Sequence, residues 1–308
     1  MNEPTHRIWH VDDPFSGGTI AISGWDWVDG DGHGSGDKPI ALLSHANGFC
    51  GAMWGLVAES LRADYRVVAL DARGHGDSQA PAVPDGYDWN YFVTDLAGVA
   101  AQLLQETGRT SIDYGIGNSF GGIVTAAAES HHPGLFRRVA MLDPPIHPGP
   151  ELLEQLGIAA SPRMPNVIAE QARKRSAVFP SRQFVRDAWQ DKPLFAGWDP
   201  RALELYISEG FKDRDDGQVE LKCNPMVEAT IFDTTGRLSV FEFAPGVATP
   251  VLLVRAAGGF ITDVVFEHLA GLFQNCQLET ANAGHLLPME APDLTVELLR
   301  GYANGSAI

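Results

Sequence analysis

The sequence predicts an α/β protein in which a mainly parallel sheet is covered by helices on both faces. Three observations carry this expectation. From Pro39 onward, short apolar runs alternate with longer segments of helical spacing, the pattern of repeated strand–helix units. The apolar runs lack the period-two alternation of a half-exposed strand, as strands buried on both faces do. At 308 residues, 44% hydrophobic and 20% charged, the chain can bury a substantial core as one large domain.

The elements follow in order. Residues 8–11 and 19–23 are β-prone and divided by Pro14, Gly17 and Gly18, which predicts an opening hairpin. Residues 28–39, VDGDGHGSGDKP, place Asp29, Asp31 and Asp37 at spacings that suggest a calcium loop. Ile40 stands where the bidentate glutamate should be and no helices flank the segment, so a surface loop is expected and no metal is assigned. Strands are then expected at 40–44, 65–70, 111–116 and 138–142, with helices at 53–63, 91–107 and from 120 through 129. The next core strand, 251–255, comes only after about 110 residues, far more than one crossover helix needs. Segments 151–156, 167–176, 181–190 and 200–208 have helical apolar spacing broken by prolines. The expected organisation is therefore a core of residues 1–145 and 236–308 with a helical cap at 146–235.

Composition excludes several classes. A formal charge of −17 opposes nucleic-acid binding, which needs a basic face to displace counterions. Three scattered cysteines, Cys50, Cys223 and Cys276, form neither a disulfide framework nor a clustered metal site and suit a reducing compartment. The start of the chain lacks a basic stretch followed by an apolar one, and no window approaches the roughly 18 apolar residues of a membrane span. A cytoplasmic chain with no membrane span is expected, and a homodimer is compatible with it.

Two motifs carry chemistry. Gly117-Asn118-Ser119-Phe120-Gly121 lies between a buried strand and a helix, the context of a G-x-S-x-G nucleophile elbow. Its glycines leave room for a strained turn that projects the serine hydroxyl, and the helix N-terminus behind it favours developing negative charge. Ala283-Gly284-His285 follows an apolar strand near the C-terminus, and an imidazole titrating near neutrality can take the serine proton and return it.

Together with His45-Ala46-Asn47-Gly48 and the turn Asp71-Ala72-Arg73-Gly74-His75-Gly76-Asp77-Ser78, these motifs resemble the capped α/β-hydrolase superfamily over nearly the whole chain from Pro39. The resemblance implies the α/β-hydrolase fold, with the 71–78 turn structural. It also implies an acid after the strand that follows the cap, yet 255–260 carries no carboxylate there. Two candidates stand. Asp143 ends the strand before the cap, at the acid position of haloalkane dehalogenases and some lactonases; Asp263 comes a few residues late, at the start of a helix. Asp143 is favoured. The family's oxyanion donors correspond to the backbone N–H groups of Asn47 and Phe120, with Phe49 as the alternative if Ala46 shifts the register.

The expected function is a serine hydrolase that cleaves a small-molecule carboxylic ester or lactone through an acyl-enzyme, with no cofactor. Phe179, Phe184, Trp189, Phe195, Trp198 and Phe211 in the cap suggest a medium-sized apolar or aromatic substrate, and His45, Phe49, Trp189 and Trp198 are the expected pocket residues. The alternatives are a carbon–carbon bond hydrolase, which the GNSFGG elbow also resembles, and a non-catalytic ligand-binding protein on the same fold.

Overall fold

The computed structural model describes residues 3–28, 38–158 and 166–305. Asp29, Asp31 and Asp37 of the calcium-like loop lie outside them. The chain opens with the expected hairpin, longer than its β-prone cores: β1 (Thr5–Asp13) and β2 (Gly18–Trp27) pair antiparallel along their length. Then come β3 (Ile40–Ser44), α1 (Gly55–Leu61), β4 (Arg66–Leu70), α2 (Trp89–Thr107), β5 (Tyr114–Asn118), α3 (Phe120–His131) and β6 (Val139–Leu142).

An insert follows. It contains α4 (Pro150–Gln155), α5 (Val167–Lys174), β7 (Val178–Phe179), α6 (Arg182–Trp189), α7 (Pro200–Glu209), β8 (Phe211–Asp213), β9 (Val219–Leu221) and α8 (Pro225–Asp233). The core resumes with α9 (Val240–Phe243), β10 (Val251–Ala256), α10 (Asp263–Leu272), β11 (Cys276–Ala281), α11 (Leu287–Glu290) and α12 (Pro292–Ala303).

Eight strands form one sheet in the order β1-β2-β4-β3-β5-β6-β10-β11. Only β2 runs against the rest, antiparallel to both β1 and β4; β4, β3, β5, β6, β10 and β11 are parallel neighbours. Helices cover both faces. On one, α2, α3 and α10 bury Phe92, Leu96, Ile123 and Phe266 against the sheet; on the other, α1 and α12 bury Val57, Leu61, Leu298 and Leu299. The β3 residues Ile40 to Leu43 have no exposed surface, which explains their unbroken apolar run. Each such aliphatic side chain contributes about 2 kcal/mol of burial energy.

Local chemistry sets the element ends. Asp88 caps α2 by accepting the Asn90 N–H, and Gly108 at φ 67° ends it in the left-handed conformation that glycine adopts freely. The strand expected at 111–116 runs instead from Tyr114 to Asn118, because Ile112 makes only an isolated bridge to Phe136 and pairing with β3 starts at Tyr114. The helix expected at 53–63 opens as a 3-10 turn, Gly51–Trp54, before α1.

The insert has its expected helices and, in addition, a three-stranded antiparallel sheet in the order β7-β9-β8. Trp189, Phe195, Trp198, Tyr206 and Phe211 pack together as its apolar centre, with Trp189 stacked on Phe195 at 4.9 Å between ring centroids. This cluster continues into Ala46, Met53, Leu286 and Met289 of the core, so the insert is seated on the turns that follow β3 and β11.

Candidate active site

Ser119 occupies the turn between β5 and α3 at φ 54°, ψ −125°, a conformation costly for any residue with a Cβ. Two backbone bonds hold it there: its N–H donates to the Leu142 carbonyl at 2.8 Å, and its carbonyl accepts the Gly122 N–H at 2.9 Å. The elbow glycines are required by space. A Cβ at Gly117 would overlap the Gly121 carbonyl, and one at Gly121 would overlap the carbonyl of Ser44.

His285 follows β11. Its Nε2 lies 2.9 Å from Ser119 Oγ and its Nδ1 2.7 Å from Asp143 Oδ2. With Nδ1–H donating to the carboxylate, Nε2 is left as the acceptor of the serine proton. The turn is closed by Glu290, whose Oε1 accepts the Leu286 N–H at 3.0 Å.

Sheet order decides which aspartate reaches the imidazole. β6 lies beside β5, so Asp143 at its end stands next to the elbow. Asp143 is 3% exposed and, like Ser119, has a positive φ of 43°. Its N–H donates to the Val254 carbonyl at 2.7 Å and its Oδ1 accepts the Ala256 N–H at 2.8 Å. Asp263 is instead two-thirds exposed (67%) at the first residue of α10, paired with Arg255 at 3.1 Å. Gly259 stands in the stretch after β10 where the usual acid was expected, and a Cβ there would come within 2.7 Å of Asp143 Oδ2. The carboxylate entering from β6 thus fills the space beside Gly259.

In the turn after β3, the Phe49 N–H donates to the Ala46 carbonyl at 3.3 Å. Among the described residues, neither the Asn47 nor the Phe120 backbone N–H donates to a protein acceptor, and Phe120 begins α3. Several groups hold this turn. Gly48 N–H donates to His75 Nε2 at 3.1 Å, Tyr206 O–H to the Gly48 carbonyl at 3.2 Å, and Asn47 Nδ2 to the Glu228 carbonyl at 2.9 Å. The sequence placed His75 in the structural 71–78 turn; Tyr206 and Glu228 were not marked and lie in the insert without a motif.

The four expected pocket residues have different surroundings. His45 is 3% exposed, its Nδ1 donating to the Ala46 carbonyl and its Nε2 accepting the Ala72 N–H, so backbone groups use both nitrogens. Trp189 and Trp198 are buried in the aromatic cluster of the insert. Phe49 is half-buried between Trp198 and Tyr206. Phe260, which the sequence did not single out, is 83% exposed with its ring 5.9 Å from that of His285.

Burial pushes the pKa of His45 down, and burial reinforced by His45 takes His75 down to about 3. Both are therefore neutral in the folded protein, while in the unfolded chain they titrate near 6.5. Between those values the unfolded state binds more protons, so stability is fully present above about pH 6.5 and falls as the pH drops. The expected slope is about 1 kcal/mol per pH unit for His75, with His45 acting in the same direction. Urea midpoints at pH 7.5, 6 and 5 measure it, and His75→Gln should flatten the dependence; an equally steep variant would remove His75 as a cause.

The remaining polar groups are structural in their contacts. Arg73 is fully buried between Asp95 at 2.7 Å and Asp13 at 3.2 Å. His6, Asp71 and Asp77 come near enough together to suggest a metal site. Lys222 Nζ, however, sits 2.7 Å from Asp77 Oδ2, and the Asp71 carboxylate is spent on donors from Ser23, Gly51 and Asp77. The three cysteines are free thiols. No described helix is long and apolar enough to cross a membrane.

Comparison with known proteins adds family-level findings. Residues 41–298 match the family described as Alpha/beta hydrolase family. A probable esterase from Oryza sativa subsp. japonica is 24% identical over 280 residues, which cover 86% of this chain and 92% of that one. A 2-(acetamidomethylene)succinate hydrolase from Mesorhizobium japonicum is 25% identical over 281 residues, covering 87% of this chain and 88% of that one. The crystal structure of the enol-lactonase from Burkholderia xenovorans LB400 shares the fold with a TM-score of 0.65 at 20% identity, over 92% of this chain and 97% of that one.

Proposed function

The chain belongs to the alpha/beta hydrolase family, and on that premise we propose that it is a serine hydrolase cleaving a carboxylic ester or lactone through an acyl-enzyme. The observation that carries the reading is the continuous hydrogen-bonded line from Ser119 Oγ through His285 to Asp143, at 2.9 and 2.7 Å. Ser119 is the nucleophile. As its oxygen attacks the carbonyl carbon, His285 Nε2 takes the hydroxyl proton, and Asp143 stabilises the imidazolium through Nδ1–H. The N–H groups of Asn47 and Phe120 receive the oxyanion, each such donor lowering the barrier by on the order of 3 kcal/mol. Collapse returns the proton from Nε2 to the leaving alcohol, and water then releases the acyl group by the same route.

Residues 146–235 act as a cap in this reading, resting on the turns that carry the oxyanion donors and the base. Half-buried Phe49 and exposed Phe260, beside the oxyanion turn and the imidazole respectively, favour an apolar or aromatic substrate of medium size. The test is a panel of p-nitrophenyl esters and aromatic lactones with rapid-mixing detection. Turnover with a p-nitrophenol burst matching the enzyme concentration is expected for at least one ester. A chain that turns over no member of the panel and takes no fluorophosphonate label at Ser119 is not a serine hydrolase.

A further inference from the structure

Behind the nucleophile lies a side chain whose contacts the reaction scheme does not use. Asn118, the last residue of β5, is 1% exposed, and its Nδ2 carries two hydrogens. One is donated to the Leu142 carbonyl at 2.9 Å and the other to the carbonyl of His285 itself at 3.0 Å. Leu142 immediately precedes Asp143, and its carbonyl also accepts the Ser119 N–H at 2.8 Å. A single primary amide therefore ties the backbone that presents the acid to the backbone that presents the base, at the residue next to the nucleophile.

We infer that Asn118 is a positioning residue, the clamp that holds the Asp143 and His285 turns in register; the inference rests on the reading of Ser119, His285 and Asp143 proposed above. The chemistry selects an amide here. The two targets are both carbonyl oxygens 2.9 and 3.0 Å away, so the group between them must supply two hydrogens and carry no charge. That requirement also fixes the amide's orientation, because the flipped form would set oxygen against two oxygens. A carboxylate would repel both carbonyls, a hydroxyl could satisfy one, and an apolar side chain would leave the bonds unmade.

Two further observations fit a positional role. Asn118 Oδ1 is buried and has no hydrogen-bond partner among the described residues, a cost that packing alone would not require at this site. Asp143 is held at φ 43°, where an aspartate does not rest by preference, so its carboxylate keeps its aim only while neighbouring bonds restrain the chain. The Val254 and Ala256 contacts restrain it from the β10 side; Asn118 restrains it from the β5 side and carries the same restraint to His285.

The experiment compares wild type, Asn118→Ala and Asn118→Asp by steady-state kinetics across pH and by one-dimensional proton NMR of the His285 Nδ1–H. An imidazole hydrogen bonded to a carboxylate gives a low-field resonance that does not depend on turnover. Asn118→Ala is expected to lower kcat on the order of ten- to a hundredfold, as a displacement near 1 Å does, with KM within about twofold. Its low-field resonance should shift or broaden. Asn118→Asp, the same shape without the two amide hydrogens, should be slower still at neutral pH. Its optimum should move to lower pH, where the protonated carboxyl again donates one bond. A folded Asn118→Ala, judged by near-UV circular dichroism, that keeps the wild-type kcat, pH profile and low-field resonance overturns the inference. If Asn118→Ala does not fold, Asn118→Asp decides on the same readings. A wild type that hydrolyses nothing would remove the proposed function, and the low-field resonance would still decide whether Asn118 sets the His285–Asp143 geometry.

Discussion

Ser119→Ala is expected to lower ester hydrolysis by about a millionfold, leaving only what binding and the oxyanion donors can do without a nucleophile. The size of the effect follows from the unit it removes. Without Oγ, His285 Nε2 has no proton to take and no acyl-enzyme can form. The turn itself should survive, since the bonds that hold it use the Ser119 backbone, to Leu142 and from Gly122. The variant should therefore unfold near the wild-type temperature while losing both the p-nitrophenol burst and fluorophosphonate labelling. Residual turnover comparable to wild type in a purified, mass-verified Ser119→Ala sample would show that the chemistry lies elsewhere.

Asp143→Asn carries the second largest expected loss, about ten-thousandfold in kcat, because an amide can stabilise the wrong imidazole tautomer and cannot balance the imidazolium. Asp263→Asn should stay within about twofold of wild type, since its exposed pair with Arg255 contributes little in water. Equal losses from the two variants would withdraw the assignment of Asp143. A sharper version exploits Gly259. Because a Cβ there would point to within 2.7 Å of Asp143 Oδ2, Asp143→Ala combined with Gly259→Asp should return a carboxylate to nearly the same place. At least a tenfold recovery over Asp143→Ala alone is expected.

The contrast between the two aspartates marks where the sequence is legible. The elbow could be read because its glycines, its strand and its helix are contiguous, and the histidine because it follows an apolar run in the chain order of the fold. The acid could not be read with the same security. Asp143 and Asp263 both sit near strand ends, and only the neighbouring of β5, β6 and β10 in space brings one to the imidazole and leaves the other outside.

Within the insert, helical spacing marked α4, α5, α6 and α7. Its strands are two or three residues long, too short to show any period. Trp189 and Trp198 were expected in a pocket because large aromatics in an insert suggest a ligand. Sequence carries no information on side-chain direction there, and both rings pack against Phe195 and Tyr206. Asn118 lay inside the very motif that identified Ser119, but a motif position written as any residue invites no question about its side chain.

The contacts at Gly48 reach beyond this one molecule. Its carbonyl is bonded by Tyr206, its Cα is covered by the Glu228 side chain so closely that a Cβ would lie 2.7 Å from Oε1, and Glu228 is itself paired with Arg175 at 2.5 Å. All three partners come from the insert, while Gly48 belongs to the core. Recombination that swaps residues 146–235 between relatives would therefore separate pieces that fit only each other. Chimeras should regain activity when the 45–49 turn is transplanted along with the insert, so over evolutionary time the two are expected to be inherited and to drift as a single unit.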